Sequence, residues 1–208
     1  MAEKTKLSRR QRERQRHRDE IVDVAMKLFA EKGFHNVSMQ EIAVEAEFAT
    51  GTIYNFFDSK ETLYREIMDE VADNVLSLVK PILEGETDER EKIAGFIRAS
   101  IRIFQENSAA IRLFLRANQG PLAHVSTAHF SETAAKVHDI LQAMLKQVFA
   151  AGVRKGLFRP IDPGVVAPAL DAALRAIVFS AAEDVQDSAL EEKVAEIEEL
   201  FFRGILHV

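Results

Sequence analysis

Residues 38–57 read SMQEIAVEAEFATGTIYNFF, and they contain two short helical patterns separated by a three-residue break. Ser38 followed by Glu41 is a capping-box pattern, which predicts a helix start where the serine hydroxyl accepts from a backbone amide. The second short helix is predicted at 50–57, and a longer helical pattern precedes both at 19–32. A longer helix followed by two short ones across a tight turn is the layout of a helix-turn-helix.

The rest of the chain also has helical periodicity and shows no alternating β pattern. Capping residues predict helix starts at 58–61, at Asp88, at Asp162-Pro163 and at about residue 188. The helix from 58–61 is predicted to end at Pro81, and a short helix is predicted around Phe114. The sequence thus predicts an all-α protein of about nine helices. Its predicted divisions are a basic N-terminal arm (1–18), a three-helix helix-turn-helix DNA-binding domain (19–65) and a C-terminal ligand-binding and dimerisation bundle (66–208).

The charge of the chain is unevenly distributed. The net charge is −6, but residues 1–18 hold eight Lys and Arg against two Glu. Arginine pairs bidentately with phosphate, and a run of arginines releases condensed counterions from a duplex. The basic arm, represented by Arg16, is therefore expected to contact DNA, although a solvated charged tail is the alternative.

Composition narrows the function classes further. The chain has no Cys, which excludes disulfides, thiolate metal sites and Cys nucleophiles. The N-terminus lacks an apolar signal segment, and the most apolar region, 165–182, is interrupted by Asp171 and Arg175. A cytoplasmic protein without metal or cofactor is therefore expected.

The second short helix carries groups suited to DNA. Ile53 and Phe57 are expected to anchor it in the core, while hydroxyl, phenol and amide groups face outward. Such groups hydrogen-bond phosphates and base edges, and Asn pairs bidentately with adenine. The outward residues are predicted to be Thr50, Thr52, Tyr54 and Asn55, with Lys60 placed to hold a phosphate at the start of the next helix.

Residues 19–65 resemble the DNA-binding domain of the TetR family of bacterial transcriptional regulators. The resemblance is carried by AMKLFAEKGF (25–34), IAVEA (42–46) and GTIYNFFDSKETL (51–63). It implies that Ser38 contacts the DNA backbone, that Thr50 and Thr52 face DNA, and that Gly51 allows close approach. It also implies that Tyr54 and Lys60 each bind a phosphate.

Two positions depart from the family pattern. Glu47 stands at a turn position that usually holds Gly; if the backbone there needs φ > 0, Glu costs on the order of 1 kcal/mol. Glu47 also places an acid near DNA. Phe56 stands where Tyr or His is common, so the operator cannot be transferred from relatives.

The family resemblance also implies that residues 66–208 bind a ligand and form a homodimer through the last two helices. Apolar stripes on those helices predict a dimer interface formed by Leu170, Leu174, Ile177, Leu190, Val194, Ile197 and Phe201. An apolar or aromatic small-molecule effector is expected. The candidate pocket residues are Phe96, Phe104, Phe114, Asn118, Phe130, Phe149 and Phe179. For both sets, the alternative is packing in the chain's own core.

The expected function is a ligand-responsive DNA-binding regulator that represses by occupying a pseudo-palindromic operator and is released by its effector. Two alternatives come from other classes. An all-helical enzyme is disfavoured because no His-Glu-x-x-His, Glu-x-x-His, phosphate-binding loop or dinucleotide fingerprint occurs. A helical dimeric interaction or lipid-sensing module without sequence-specific DNA binding is disfavoured by the intact DNA-facing residues and the basic arm.

Overall fold

The computed structural model describes residues 8–106, 132–183 and 190–205. Within these ranges it contains eight α-helices, one 3-10 turn and no strand, so the predicted all-α fold is confirmed. The helices are α1 (Arg9–Lys32), α2 (Met39–Glu45), α3 (Thr50–Tyr54), α4 (Lys60–Glu84), α5 (Glu89–Glu106), α6 (Glu132–Arg154), α7 (Pro163–Glu183) and α8 (Leu190–Ile205), with the 3-10 turn at Phe34–Asn36. The predicted short helix around Phe114 lies outside the described residues.

The first hydrophobic core joins α1, α2, α3 and the beginning of α4. Ile21, Phe29, Ile53, Phe57 and Leu63 are all within 1% of complete burial and belong to it. Ile53 and Phe57 therefore anchor the second short helix as the sequence predicted. These contacts matter because a helix of five residues is not stable by itself.

The second core lies among α4, α5, α6, α7 and α8. Its fully buried residues include Ile93, Ile97, Phe149 and Leu170. α4 is shared between the two cores, since Val71 packs on the first and Val75 on the second. A single continuous helix thus connects the helix-turn-helix to the bundle, and the predicted division at 65 falls inside it.

Three helix limits differ from the sequence predictions. α1 begins at Arg9 rather than at residue 19, because Ser8 and Gln11 form a complete capping box there. α4 continues through Pro81 to its end at Glu84. The second short helix ends at Tyr54, three residues earlier than predicted, and the Phe57 backbone N–H beyond it donates a hydrogen bond to the Ile53 carbonyl.

Local chemistry fixes the ends of the bundle helices. α7 begins at Pro163 as predicted, and the Asp162 carboxylate accepts from the Gly164 amide at 2.7 Å. Gly152 is required near the end of α6, since a Cβ there would lie 2.2 Å from the Phe158 ring. No helix in the described ranges combines the length and hydropathy needed to cross a membrane.

A half-buried ion pair connects the start of α5 to Lys155, the residue that follows α6. The Glu89 side chain is almost fully buried, and its Oε1 lies 2.6 Å from the Lys155 ammonium nitrogen. Burial raises the pKa of Glu89, but the hydrogen bond and charge of Lys155, a backbone hydrogen bond and the charge of Lys92 together outweigh burial, and the net pKa is lowered. Glu89 therefore remains ionised at neutral pH, and the pair joins two helices of the second core.

Candidate nucleic-acid interface

The start of α2 presents an exposed serine whose hydroxyl is already committed to the helix. Ser38 Oγ accepts from the Glu41 amide at 3.1 Å, which confirms the predicted cap. The second half of the predicted capping box differs, because the Glu41 carboxylate pairs with the Lys32 ammonium of α1. This pairing lowers the pKa of Glu41. The cap and the ion pair together fix the first short helix against α1.

The turn between α2 and α3 is built on a left-handed residue. Glu47 has φ 57°, the one positive φ at a non-glycine residue in the described part of the chain. The Phe48 amide donates to the Ala43 carbonyl at 2.9 Å and the Glu47 amide to the Val44 carbonyl at 3.2 Å. These two bonds form a Schellman motif, which normally favours Gly at the left-handed position. The backbone strain expected at Glu47 is therefore present.

α3 presents a small, polar and open surface. Gly51, Tyr54 and Asn55 are exposed, and Thr50 and Thr52 are half-buried. A Cβ at Gly51 would meet no atom within 4 Å, so the chain's own packing does not require glycine there. Tyr54 keeps 46% of its surface exposed, which is unusual for a large aromatic residue. Thr50, Thr52, Tyr54 and Asn55, which the sequence predicts to face DNA, are thus all accessible on α3 or at its C-terminal end.

Two arginines of α1 cover the aromatic residues that follow α3. The Arg14 guanidinium carbon lies 5.5 Å from the Phe56 ring centroid, and that of Arg18 lies 5.6 Å from the Phe57 centroid. Cation–π contacts of this kind hold a charged side chain against an aromatic surface. The basic N-terminal turns of α1 therefore lie beside the end of α3.

The basic segment is helical from Arg9 onward and is highly exposed. Arg16 keeps 68% of its side-chain surface and makes only a loose i,i+4 contact, with its Nε 3.6 Å from Glu20 Oε1. The exposed arginines of these turns are Arg9, Arg10, Arg12, Arg14 and Arg16. Residues 9–18 thus belong to α1 and do not form an extended arm.

Lys60 has a structural role that the sequence did not suggest. Its ammonium group donates to the Phe34 and Val37 carbonyls, each at 2.9 Å, and lies 4.5 Å from the Phe34 ring centroid. Two of its three N–H groups are therefore used to hold the segment before α2. Its contact with a phosphate stays a prediction.

The predicted effector-pocket residues divide between core and undescribed segments. Phe96, Phe104 and Phe149 are buried in the second core. Phe114, Asn118 and Phe130 lie outside the described residues, as does the side chain of Phe179. The pocket assignment therefore stays a prediction.

A groove lies between α4 and α5, with a volume of about 550 Å³. Aliphatic and small residues line most of it, and two arginines of α5 stand one turn apart at its side. Its lining includes Leu78, Pro81, Ile82, Gly95, Arg98 and Arg102. The aromatic content of the chain gave no signal for this groove, because its walls contain no aromatic residue.

The predicted dimer residues need a correction. Leu170 and Leu174 are 0% and 4% exposed in the chain's own core, so a partner helix cannot reach them and their assignment to the interface is wrong. Ile177, Ile197 and Phe201 are half-buried against the same core. Leu190 and Val194 belong to α8, but their side chains are not described.

A different face of α7 is exposed and apolar. It consists of Val165, Pro168, Ala169, Ala172 and Ala176, and Leu200 of α8 is also exposed. Val165 and Leu200 each keep 66% of their surface. The spacing of the alanines at 169, 172 and 176 is the sequence pattern that corresponds to this exposed face.

A metal-binding cluster is not found among the described residues. No group of three or more His, Asp or Glu side chains there has an arrangement that could hold an ion.

Comparisons with known proteins agree with this architecture. A family model described as "Bacterial regulatory proteins, tetR family" matches residues 21–67. A second, described as "Tetracyclin repressor-like, C-terminal domain", matches residues 86–178. Together the two matches cover about two thirds of the chain. The first ends within α4, and the second begins just after α4 ends.

Two transcriptional regulators are similar to the chain in sequence over more than two thirds of its length. The chain is 26% identical to the HTH-type transcriptional repressor KstR2 of Rhodococcus jostii over 142 residues, which is 68% of each protein. It is 27% identical to the HTH-type transcriptional activator FasR of Mycolicibacterium smegmatis over 165 residues, covering 77% of this chain and 72% of FasR.

Solved structures share the fold. The ketosteroid transcriptional regulator KstR2 of Mycobacterium tuberculosis superposes with a TM-score of 0.72 at 20% identity, covering 92% of this chain and 95% of that one. The fatty acid degradation regulator FadR of Bacillus halodurans gives a TM-score of 0.75 at 21% identity, covering 90% and 95%. At this level of identity the likeness establishes the fold.

Proposed function

The chain belongs to the TetR family of bacterial transcriptional regulators, and we propose that it acts as a dimeric repressor whose α3 helices read a two-fold operator. The observation that carries the proposal is the accessible surface of α3. Gly51 has open space above it, and polar side chains surround it. A surface of this kind fits the major groove, where side-chain hydroxyls and amides meet base edges.

We assign the DNA contacts from the hydrogen-bonding groups that each side chain offers. Thr50, Thr52 and Asn55 are proposed to contact bases or the nearby backbone, and Tyr54 a phosphate. Ser38 at the start of α2 is proposed to contact the backbone as well, and the third N–H of Lys60 is proposed to reach a phosphate. The exposed arginines of α1, including Arg16, add phosphate contacts beside α3.

The dimer is proposed to form through the exposed apolar face of α7 and the neighbouring part of α8. Small residues such as Ala169, Ala172 and Ala176 let two helices approach closely, and Val165 and Leu200 add apolar area. An exposed apolar face of this kind is typical of an interaction surface. A two-fold dimer would hold two α3 helices at a fixed spacing.

The effector is proposed to be an apolar small molecule that binds within the bundle. One relative is named as a ketosteroid regulator and another as a fatty acid degradation regulator. The bundle of this chain has an aliphatic groove at α4 and α5, and α4 continues into the helix-turn-helix. An effector that binds the released state 100-fold more tightly would shift the equilibrium by about 2.7 kcal/mol per site.

The test is fluorescence anisotropy with labelled duplex from immediately upstream of the protein's own gene, titrated with salt. Shuffled duplex of the same composition serves as the control. We expect much tighter binding to the upstream duplex, with two chains bound per site. Equal and weak binding to both duplexes, lost at moderate salt, would contradict sequence-specific repression of that gene.

A further inference from the structure

Arg18 lies at the point where α1, α4 and the residues after α3 meet. Its Nη2 donates to Glu66 Oε2 at 2.9 Å, and its Nη1 lies 3.6 Å from Glu70 Oε2. Its guanidinium also covers the Phe57 ring, with a distance of 5.6 Å from Cζ to the centroid. A looser contact joins Nη1 to the neighbouring Asp19 at 3.9 Å. One side chain therefore contacts two carboxylates of α4 and the aromatic anchor of α3.

The contact with Phe57 links Arg18 to the position of α3. α3 has only five residues, so it depends on packing rather than on its own hydrogen bonds. Phe57 is 1% exposed, and its amide donates to the Ile53 carbonyl at 3.0 Å. A shift of the Phe57 ring would therefore move the end of α3.

The contact with Glu66 and Glu70 links Arg18 to α4. These carboxylates lie one turn apart on the helix that continues into the second core. The Arg18 side chain is 27% exposed, whereas those of Glu66 and Glu70 are 39% and 57% exposed, so solvent and salt screen the Glu70 contact more than the Glu66 contact. Burial lowers the pKa of Arg18, but the hydrogen bonds and charges of Glu66 and Glu70 together outweigh burial and raise it, which keeps the guanidinium charged.

We propose that Arg18 is a positioning residue that couples α4 to α3, so that movement of α4 breaks the pairing and displaces the DNA-reading helix. The proposal rests on the function proposed above, in which α3 reads DNA and α4 carries the effector signal. Arginine suits this position because a planar guanidinium can pair with carboxylates and stack on a ring at the same time, whereas lysine cannot.

The decisive variant removes the carboxylates and leaves Arg18 in place. In E66Q/E70Q two negative charges of the helix that follows α3 are lost and the charge of Arg18 is no longer paired, so electrostatics alone would strengthen DNA binding. Coupling predicts the opposite sign, with affinity for the upstream duplex falling about tenfold, which is the scale of one lost charge-assisted hydrogen bond. The matched control is E61Q/D73N, which neutralises two other exposed acids of α4, and it should bind as tightly as the unmodified protein or more tightly.

A second readout does not depend on DNA. Amide hydrogen exchange should become faster in residues 50–57 of E66Q/E70Q, while residues 21–29 of α1 keep their protection. R18K should give a smaller effect in the same residues, because it keeps the charge and loses the stacking. A general loss of stability would instead accelerate exchange in both segments.

The two readouts separate the possible failures. If E66Q/E70Q binds DNA at least as tightly as the unmodified protein and exchange at 50–57 is unchanged, the coupling is wrong. If the unmodified protein shows no sequence-specific binding but exchange at 50–57 still responds, the coupling stands and the proposed DNA-reading function fails.

Discussion

At the scale of single residues, Glu47 is expected to lower both the stability of the fold and the affinity for DNA, and the two effects can be separated by substitution. Its left-handed backbone strains a residue with a Cβ, and its carboxylate lies in the turn that leads into α3. We expect E47G to raise stability by about 1 kcal/mol, since glycine adopts φ > 0 without strain. Thermal unfolding measures this change.

The isosteric variant E47Q is the control for the charge. It keeps the strain and removes the negative charge, so its melting temperature should equal that of the unmodified protein while its DNA affinity increases. If E47G melted at or below the temperature of E47Q, strain at this turn would not be the source of the cost.

Substitution of Gly51 tests whether the open side of α3 contacts DNA closely. A Cβ there meets nothing within 4 Å on the chain itself, and alanine is the better helix former by about 1 kcal/mol. We expect G51A to be at least as stable as the unmodified protein and to bind operator DNA about tenfold more weakly, because a methyl group would occupy the closest approach.

The control for G51A is Q147A on the exposed side of α6, which also introduces the better helix former. It should also be at least as stable as the unmodified protein and should leave DNA affinity unchanged. Undiminished DNA binding by G51A, measured by anisotropy, would show that α3 does not approach DNA at this residue.

The residues that sequence reasoning placed well depend on local chemistry. The Ser38 cap and the positive φ of Glu47 involve partners only three residues away in the chain, so both can be predicted from the local sequence. The role of Lys60 could not be predicted in this way, because its two acceptors lie 23 and 26 residues earlier and meet it only in the folded chain.

At the scale of elements, the first turns of α1 form a helical basic surface. Arg12 and Arg16 are exposed, and Ser8 caps the helix that carries them. We expect R12Q/R16Q to reduce the slope of log K against log salt by about two, one for each phosphate contact removed. Anisotropy titrations at several salt concentrations measure this slope.

The control replaces two exposed arginines of the second domain, R154Q/R159Q. It makes the same change in net charge and should leave the slope unchanged. An identical small effect of both pairs would mean that the N-terminal turns of α1 do not touch DNA and that only overall charge matters.

Element prediction was less successful for α7, for a physical reason. Both faces of this helix are apolar, one with leucines and the other with alanines. Periodicity identifies an apolar face but does not say which one meets the chain's own core. Packing placed Leu170 and Leu174 inside, and left Ala172 exposed.

At the scale of the whole molecule, the alanine face of α7 should hold two protomers together. We expect A172E to dissociate the dimer, because the two-fold axis would bring two buried carboxylates into the same interface. Sedimentation velocity should then show a monomer, and operator affinity should fall with it, since each protomer binds one half-site.

A143E is the matched control, because Ala143 is exposed on α6 and receives the same new charge. It should remain dimeric and bind DNA normally. If A172E sedimented as A143E does, the interface would lie on another surface of the bundle.

The central claim is that two α3 helices, held by a two-fold dimer, read an inverted repeat. Selection of tight-binding duplexes from a random pool, followed by sequencing, tests it most directly. The predicted result is an enriched inverted repeat whose half-site centres are separated by about 10 base pairs or a multiple of that spacing. Enrichment of no motif, or of a single half-site without its inverted partner, would contradict the account.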